Sequence, residues 1–122
     1  MRVFVCEHCG NMVELIKDKG VPMQCCGQAM TELIPGTTDG AAEKHIPVYT
    51  VNGQQVNVTV GSTEHPMAEV HYIEWIAVET EHSILRTALQ PGQPPKASFT
   101  LTEGETVQAV YAYCNLHGLW KA

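Results

Sequence analysis

Alternating apolar and polar residues dominate the chain from position 46 onward, and this period of two predicts β-strands. Residues 55–60 show it most clearly, with three valines on one face and polar side chains on the other. Residues 46–51 form a similar run, and Asn52-Gly53 between the two runs is a preferred two-residue turn. The two segments therefore predict an antiparallel hairpin.

Four further segments have the composition of strands. Residues 72–80 are apolar on both faces, which is typical of a strand in the centre of a sheet. Residues 91–95 contain three prolines and must be an exposed loop, because proline cannot donate to a ladder. The other strand segments are residues 84–89, 97–101 and 106–114. With no convincing helix, about seven short strands at this spacing predict an antiparallel β-sandwich.

The N-terminal part has a different character. Residues 3–5 and 12–17 predict two short strands, and residues 35–44 contain two glycines and a proline without apolar periodicity. Such a segment predicts a linker, so we place the domain boundary there. The expected domains are residues 1–36 and 37–122.

Composition limits the class of protein. A chain of 122 residues that is 44% hydrophobic can bury one moderate core and a small appendage. Its net charge of −6 argues against nucleic acid and against an anionic membrane surface. A cysteine at position 6 leaves no room for a signal peptide's apolar segment, and no apolar run approaches the ~20 residues of a spanning helix. We therefore expect a cytoplasmic protein.

Four of the five cysteines crowd into the first 26 residues, as Cys6-x-x-Cys9 and Cys25-Cys26. An odd number of clustered cysteines favours a metal site over a disulfide framework. The alternative, a redox-active dithiol at the first pair, would leave the second pair unexplained. Gly10 permits the positive φ that a metal knuckle tends to need.

The adjacent cysteines require an unusual backbone. Neighbouring side chains in an extended chain point opposite ways, so Cys25 and Cys26 can share an ion only if the chain bends sharply. Four thiolates suit zinc or iron, and the spacing does not choose between them.

The last tenth of the chain contains a second group of candidate ligands. Cys114 and His117 lie three apart after a predicted strand, so a thiolate and an imidazole can turn toward one point. Three more histidines lie upstream in the contexts Glu43-Lys44-His45-Ile46-Pro47, His65-Pro66-Met67 and His71-Tyr72-Ile73-Glu74-Trp75. One sulfur and four ring nitrogens would make a five-ligand metal site.

Other residues able to carry chemistry are given structural roles. His8 lies in a knuckle whose site the sulfurs already fill, and His82 lies in a polar turn. The aromatic residues Trp75, Tyr111 and Tyr113 are interpreted as packing. Four carboxylates are interpreted as solvated loop charges, namely Glu79, Glu81, Glu103 and Glu105.

Taken together, these motifs resemble the desulfoferrodoxin family, the two-iron superoxide reductases. The four N-terminal cysteines resemble the iron site of desulforedoxin, and the five motifs occur in the family's order over essentially the whole chain. The resemblance implies a small desulforedoxin-like iron domain followed by an immunoglobulin-like sandwich, with two iron ions per chain. The catalytic iron ligands that it implies are His45, His65, His71, Cys114 and His117.

The resemblance also implies an activity and partners. The family reduces superoxide to hydrogen peroxide with one electron and two protons, and produces no oxygen. Lys44 is then expected to attract superoxide, and Glu43, on the same mobile loop, to close over the ferric ion. Rubredoxin or a similar small redox protein is the expected electron donor, and a homodimer the expected assembly.

A non-catalytic function stays open on the residues alone. A zinc ribbon or rubredoxin-like site fused to a β-sandwich could store metal or carry electrons. A metal assay and a visible spectrum separate the two functions, because zinc sites are colourless and iron–thiolate sites are not.

Overall fold

The computed structural model describes all 122 residues and divides them into two compact units, Met1–Ile34 and Pro35–Ala122. Both units are built from antiparallel strands, and the one helix is a single turn of four residues. The structure contains no helix that is both long enough and apolar enough to cross a membrane.

The first unit contains five short strands. They are β1 (Val3–Val5), β2 (Met12–Glu14), β3 (Gln24–Cys25), β4 (Gln28–Ala29) and β5 (Thr31–Glu32). The first strand lies between β2 and β5, and β3 pairs with β4 as a separate hairpin. The predicted strand over residues 12–17 ends early, at Glu14. There the chain turns, and Asp18 binds both Arg2, at 2.7 Å, and the N–H of Gly20.

The second unit contains one helical turn and seven strands. In chain order they are α1 (Ala42–His45), β6 (Pro47–Asn52), β7 (Gln55–Val60), β8 (Ile73–Glu79), β9 (Ile84–Ala88), β10 (Lys96–Thr100), β11 (Ala109–Cys114) and β12 (Gly118–Lys121). Two sheets form, one in the order β10-β7-β6 and one in the order β12-β11-β8-β9. This arrangement confirms the predicted antiparallel sandwich.

The core of the second unit lies between the two sheets. The three valines of β7 supply one side of it and alternate with polar residues, as the period of two predicts. From the other sheet, Ile76 and Val78 of β8 and Val110 of β11 contribute. As predicted, β8 is a central strand. The sequence did not predict β12, which pairs with β11 at the edge of this sheet.

The β6–β7 hairpin turns one residue later than predicted. Asn52 pairs with Gln55, so the two turn residues are Gly53 and Gln54 rather than Asn52 and Gly53. Gly53 has a φ of +61°, whereas Gln54 has no positive φ. A glycine at the first turn position is the pattern of a type II′ turn, which matches the twist of the strands as well as a type I′ turn does.

Three of the four carboxylates predicted to be solvated accept hydrogen bonds instead. Glu79 accepts from the Tyr111 hydroxyl at 3.0 Å within the sheet, and the other two join loops. Glu81 accepts from the N–H of Thr106, at 2.8 Å, and from the side-chain amide of Gln108, also at 2.8 Å. Glu105 accepts from Thr80 Oγ1 at 2.8 Å and from the N–H of His82. The two glutamates therefore connect the β8–β9 turn with the segment before β11.

We predict that the Glu81 contacts stabilise the fold in a pH-dependent way. The hydroxyl and N–H of Thr106 lower the pKa of Glu81 to about 2 from an ordinary value of 4.5. A lowered folded-state pKa adds stability that is present above about pH 4.5 and is lost as the pH falls toward 2. Glu81→Gln should therefore unfold at a lower temperature at neutral pH, and the difference should shrink through this window.

Thermal unfolding at several pH values checks this expectation. Glu103→Gln is the matched control, because Glu103 is exposed and accepts no hydrogen bond. The assigned role would be contradicted if the unfolding temperatures of Glu81→Gln and the parent protein fell in the same way as the pH is lowered.

Candidate metal centres

The four cysteines of the first unit place their sulfurs together. Their Sγ atoms all lie within 4.8 Å of one another, and no disulfide joins them. Cys9 Sγ lies 3.6 Å from Cys25 Sγ, which lies 3.9 Å from Cys26 Sγ. Sulfurs about 2.3 Å from a shared ion at tetrahedral corners lie about 3.8 Å apart. The donor set therefore fits a tetrahedral four-thiolate ion.

A sharp bend brings the adjacent cysteines to the same side, as predicted. Cys26 has a φ of +54° and is the one residue other than glycine with a positive φ. This conformation is strained for a residue with a Cβ atom, and such strain is typical of functional sites. In the first knuckle, Gly10 has the predicted positive φ, at +82°.

Backbone N–H groups surround the buried sulfur of this cluster. The N–H of Cys9 points at Cys6 Sγ at 3.5 Å and lowers the pKa of Cys6 to about 6. Contact with the other sulfurs, Cys9 first, raises the pKa of Cys26 to about 12. Without a cation the four sulfurs cannot all be thiolates, so the cluster is suited to holding one.

Five residues of the second unit bring their donor atoms to one end of the sandwich. His45 ends α1, His65 follows β7, His71 precedes β8, Cys114 ends β11, and His117 lies in the turn before β12. Their donor atoms also lie within 4.8 Å of one another. The structure thus brings together all five ligands expected from the sequence, whereas His8 and His82 lie outside both groups.

The four imidazoles form a square. Neighbouring ring centroids are 4.7–5.0 Å apart around the order His45, His65, His71, His117. His45 and His71 lie opposite each other, with centroids 6.5 Å apart. His45 Nε2 is 3.1 Å from His117 Nδ1 and 3.2 Å from His65 Nε2. Nitrogens about 2.1 Å from a shared ion and at right angles to each other lie about 3.0 Å apart.

The hydrogen bonds of two rings show that these contacts need a cation. His45 Nδ1 lies 2.8 Å from the carbonyl of Ala41, and His65 Nδ1 lies 2.7 Å from that of Pro66. Each Nδ1 must donate, since a carbonyl cannot, which leaves a bare lone pair on each neutral Nε2. The two lone pairs face each other at 3.2 Å. A bound metal ion turns this repulsion into coordination.

Burial keeps the rings in the neutral form that binds metal. It lowers the pKa of His65 to about 4, against the opposing effect of the Pro66 carbonyl. Burial also lowers the pKa values of His45 and His71. His71 Nε2 is buried and has no hydrogen-bond partner, which is expected of an atom that faces an ion.

Cys114 supplies the fifth donor from the hydrophobic core. Its side chain is fully buried and belongs to the core cluster, and its Sγ lies 3.7 Å from His117 Nδ1. Burial raises the pKa of this thiol, while the N–H groups of Leu116 and His117 lower it. A thiolate in this position is therefore stabilised by the ion and by the turn that carries it.

Gly118 allows that turn to form. Cys114 pairs with Gly118 across a three-residue loop, and Gly118 has a φ of +77°. A Cβ atom at Gly118 would also meet Thr38 Cγ2 at 3.2 Å. Gly118 therefore allows both the positive φ of the turn and the close approach of Thr38.

Sequence analysis missed the contacts that surround His117. Trp120 Nε1 donates to the His117 carbonyl at 2.9 Å, and Thr38 Oγ1 donates to the same oxygen. The Trp120 indole stacks on His45, with centroids 4.9 Å apart. Gly40 lies against the Trp120 and His45 rings and against the Cβ atom of His117. Thr38 and Gly40 belong to the segment expected to be a featureless linker, so composition gave no signal for them.

Glu43 and Lys44 lie in the helical turn α1 rather than in an irregular loop. Both side chains are exposed. The Glu43 carbonyl accepts from the N–H of Thr63 at 2.9 Å. A Cβ atom at Gly61 would lie 2.7 Å from the Lys44 carbonyl, so only glycine permits this close approach. Burial is the main cause of the lowered pKa values of His45 and His71. Lys44 lowers both slightly further, while Glu43 acts in the opposite direction on His45.

Fold and donor sets together define a class of protein. It is a small non-haem metalloprotein with one four-thiolate site and one site of four imidazoles and a thiolate, the latter on an immunoglobulin-like sandwich. Tetrahedral sulfur suits zinc or iron, and five mixed donors exceed the four of a structural zinc site and suit iron.

Comparison with known proteins agrees with this class. Residues 37–122 match the family model described as Desulfoferrodoxin, so the chain belongs to the desulfoferrodoxin family. A desulfoferrodoxin homolog of Archaeoglobus fulgidus is 45% identical over 100% of this chain and 96% of its own.

Two solved structures extend the comparison. The superoxide reductase from Treponema pallidum is 36% identical, with a TM-score of 0.80 over 93% of each chain. The superoxide reductase (1Fe-SOR) from Giardia intestinalis is 35% identical, with a TM-score of 0.56 over 66% of this chain and 95% of that one.

We predict that Gly40 is required for space beside the second site. A Cβ atom there would lie 3.0 Å from Trp120 Cζ2, 3.2 Å from His45 Cε1 and 3.3 Å from His117 Cβ. Overpacking of this kind costs ~1–3 kcal/mol, so Gly40→Ala should destabilise the metal-free protein and change the visible spectrum of the iron-loaded one.

Trp120→Phe is the matched second change, because phenylalanine lacks the Cζ2 atom of the indole. If the clash is the cause, Gly40→Ala should cost less stability in the Trp120→Phe background. An equal cost in both backgrounds, measured by urea unfolding, would contradict this explanation.

Proposed function

We propose that the protein is a superoxide reductase. It reduces superoxide to hydrogen peroxide with one electron and two protons, and it releases no oxygen. The observation that carries this proposal is the square of four imidazoles with a buried thiolate, a five-donor set that leaves a sixth position for a small ligand. Its structural similarity to superoxide reductases supports the same activity.

Each unit holds one iron ion. In the first unit the ligands are Cys6, Cys9, Cys25 and Cys26, and in the second they are His45, His65, His71, Cys114 and His117. When bound in the second site, iron supplies the reducing electron and an open coordination position. The chain's own residues then have to bring an anion to that position, set the electron density there, and let the product leave.

Cys114 sets the electron density. A thiolate ligand pushes charge toward its metal, which favours electron donation to a bound anion. The N–H groups of Leu116 and His117 take back part of this charge, since they donate to the same sulfur. Because Cys114 is fully buried, no water competes for the sulfur.

Lys44 attracts the substrate. The chain carries a net charge of −6, and two iron ions with five thiolates change it little, so attraction for an anion must be local. Lys44 is exposed and directly precedes the proposed ligand His45 on α1. Within a Debye length of ~8 Å such a cation outweighs distant carboxylates. Its ammonium group can also donate a hydrogen bond to the bound oxygens.

Glu43 has the complementary role. It lies beside Lys44 on the same turn and is exposed, so its carboxylate is the nearest anionic side chain in sequence to ligand His45. Its carboxylate would supply a further ligand to the iron once the product has left. While superoxide approaches, a carboxylate there would repel it, so Glu43 must move away. The Glu43 carbonyl accepts from Thr63 and Ser62, so we expect the movement to be one of the side chain.

The first unit is proposed to relay electrons and to hold its fold together. Four thiolates fill a tetrahedral site and leave no position for superoxide. We propose residues 1–36 as the relay and 37–122 as the catalytic domain, and the family match over residues 37–122 supports this division.

The partners and location follow from the family and from the cysteines. We propose rubredoxin or a similar small redox protein as the electron donor, and a homodimer as the assembly. No disulfide joins any of the five cysteines, which is usual in the reducing cytoplasm. We therefore place the protein there.

The roles of Lys44 and of the whole site can be tested by pulse radiolysis of the iron-loaded, reduced protein. Lys44→Ala should slow second-order superoxide capture about tenfold and flatten its dependence on ionic strength. Lys96→Ala, which removes an equal charge from an exposed position on β10, should do neither. If Lys44→Ala captures superoxide at the parent rate, Lys44 is only a solvated surface charge with no role in attracting the substrate. No capture by the parent protein would contradict the proposed activity.

A second variant tests the division of roles. Cys25→Ser should remove or alter the first metal, while the reduced protein still converts superoxide to peroxide in a single turnover. Metal analysis and single-turnover peroxide yield measure the two effects. If the second site of this variant, loaded and reduced, no longer reacts, the chemistry depends on the first unit.

A further inference from the structure

The four imidazoles of the second site are held in two different ways. His45 and His65 are fixed by their own rings, since each Nδ1 donates to a backbone carbonyl. The buried Nε2 of His71 has no hydrogen-bond partner, and the ring packs against the rings of two other candidate ligands, His65 and His117. The orientation of His71 therefore depends on the backbone that carries it.

The loop that carries His71 is attached to the neighbouring strand by one side chain, Asn115. Its Oδ1 accepts from the N–H of Tyr72 at 2.9 Å, and its Nδ2 donates to the carbonyl of Val70 at 3.1 Å. The N–H of Asn115 donates to the Tyr72 carbonyl at 3.2 Å. One amide thus holds the residues on both sides of His71.

The attachment occurs where the regular ladder fails. The pairing of β11 with β8 shifts between Tyr113 and Cys114, so that Cys114 lies opposite Ile73. Beyond this irregularity, the Asn115 N–H still donates to the Tyr72 carbonyl, but the Tyr72 N–H donates to the side chain of Asn115 rather than to a backbone carbonyl. Within its own loop, the backbone of His71 makes hydrogen bonds only with Ala68, one in each direction and both at 3.0 Å.

We propose that Asn115 is a positioning residue that fixes His71 relative to Cys114 by holding the Val70 and Tyr72 backbones. Asn115 directly follows Cys114, so the thiolate ligand and the loop of an imidazole ligand are held through one residue. The side chain suits this task because an amide has both an acceptor and a donor. This inference rests on the proposed ligand roles of His71 and Cys114.

The side-chain chemistry predicts a graded series of variants. Asn115→Ala removes both contacts. Asn115→Asp keeps an acceptor for the Tyr72 N–H but offers no donor to the Val70 carbonyl. Asn57→Ala is the control, because Asn57 makes a comparable side-chain contact, to Ser98 at 2.7 Å, on the exposed face of β7.

Two readouts test the proposal, namely ferrous-iron affinity by competition with a chelator and the electron paramagnetic resonance rhombicity of the ferric second site. Asn115→Ala should weaken iron binding there by about 10–100-fold and change the rhombicity. Asn115→Asp should lie between Asn115→Ala and the parent protein, and Asn57→Ala should match the parent. Parent values for Asn115→Ala would overturn the proposal. Should Asn115→Ala not fold, parent values for Asn115→Asp would overturn it equally.

A second background separates positioning from general stability. In His71→Gly, free imidazole can fill the vacated ligand position without any connection to the loop. With imidazole present, adding Asn115→Ala should then have no further effect on iron affinity, because Asn115 acts through His71. A full-sized effect there would mean that Asn115 acts on the fold in general. If His71→Gly alone leaves iron binding unchanged, the ligand assignment fails rather than the role of Asn115.

Discussion

The second unit must hold the nitrogen lone pairs of its histidine ligands close to one another. The Nε2 atoms of His45 and His65 are 3.2 Å apart, and the Nδ1 contacts of both rings leave those atoms bare. Without an ion this arrangement is repulsive, so the surrounding structure must hold it in advance. The second unit does so by placing the donors together at one end of the sandwich, on the helical turn α1 and in the loops beside the strands, with the buried sulfur of Cys114 at the end of β11. A bound ion would remove this repulsion, because the lone pairs would then coordinate it.

This constraint explains why so many contacts near the site go to backbone atoms. The carbonyl of His117 accepts from both Thr38 and Trp120, and the backbone around His71 is held by Asn115. A ring whose nitrogen faces the ion cannot use that nitrogen to hold itself in place. Its position must come from its other nitrogen or from its main chain, and the structure uses both solutions. The side chains of Glu43 and Lys44 are exposed and are not subject to this restriction.

Most of the fold was predictable, because its signals are local. The alternation in residues 55–60 and the apolar segment around Trp75 identified strands from side-chain period alone. Strand β12 was missed because its four residues are too short to show a period beside the Cys-x-x-His motif. The hairpin register was misplaced by one residue because Asn52-Gly53 and Gly53-Gln54 both satisfy turn chemistry, and cross-strand pairing decides between them.

The donor residues of the site were predictable from their motifs, but their supports were not. Thr38 and Gly40 act through contacts made over almost 80 residues of sequence, and a single sequence carries no sign of such contacts. The same holds for Glu81, whose acceptor role depends on Thr106 arriving from another loop. Long-range packing, rather than local propensity, decides these roles.

The stoichiometry of the reaction tests the central claim most directly. Reduced, iron-loaded protein should be mixed with superoxide while peroxide and dissolved oxygen are measured together, with catalase added afterwards as a check on the peroxide. A reductase yields one peroxide for each superoxide consumed by the protein and no oxygen, and it oxidises one iron. Oxygen released in proportion to the superoxide consumed, with about half as much peroxide, would mean dismutation and would contradict the account.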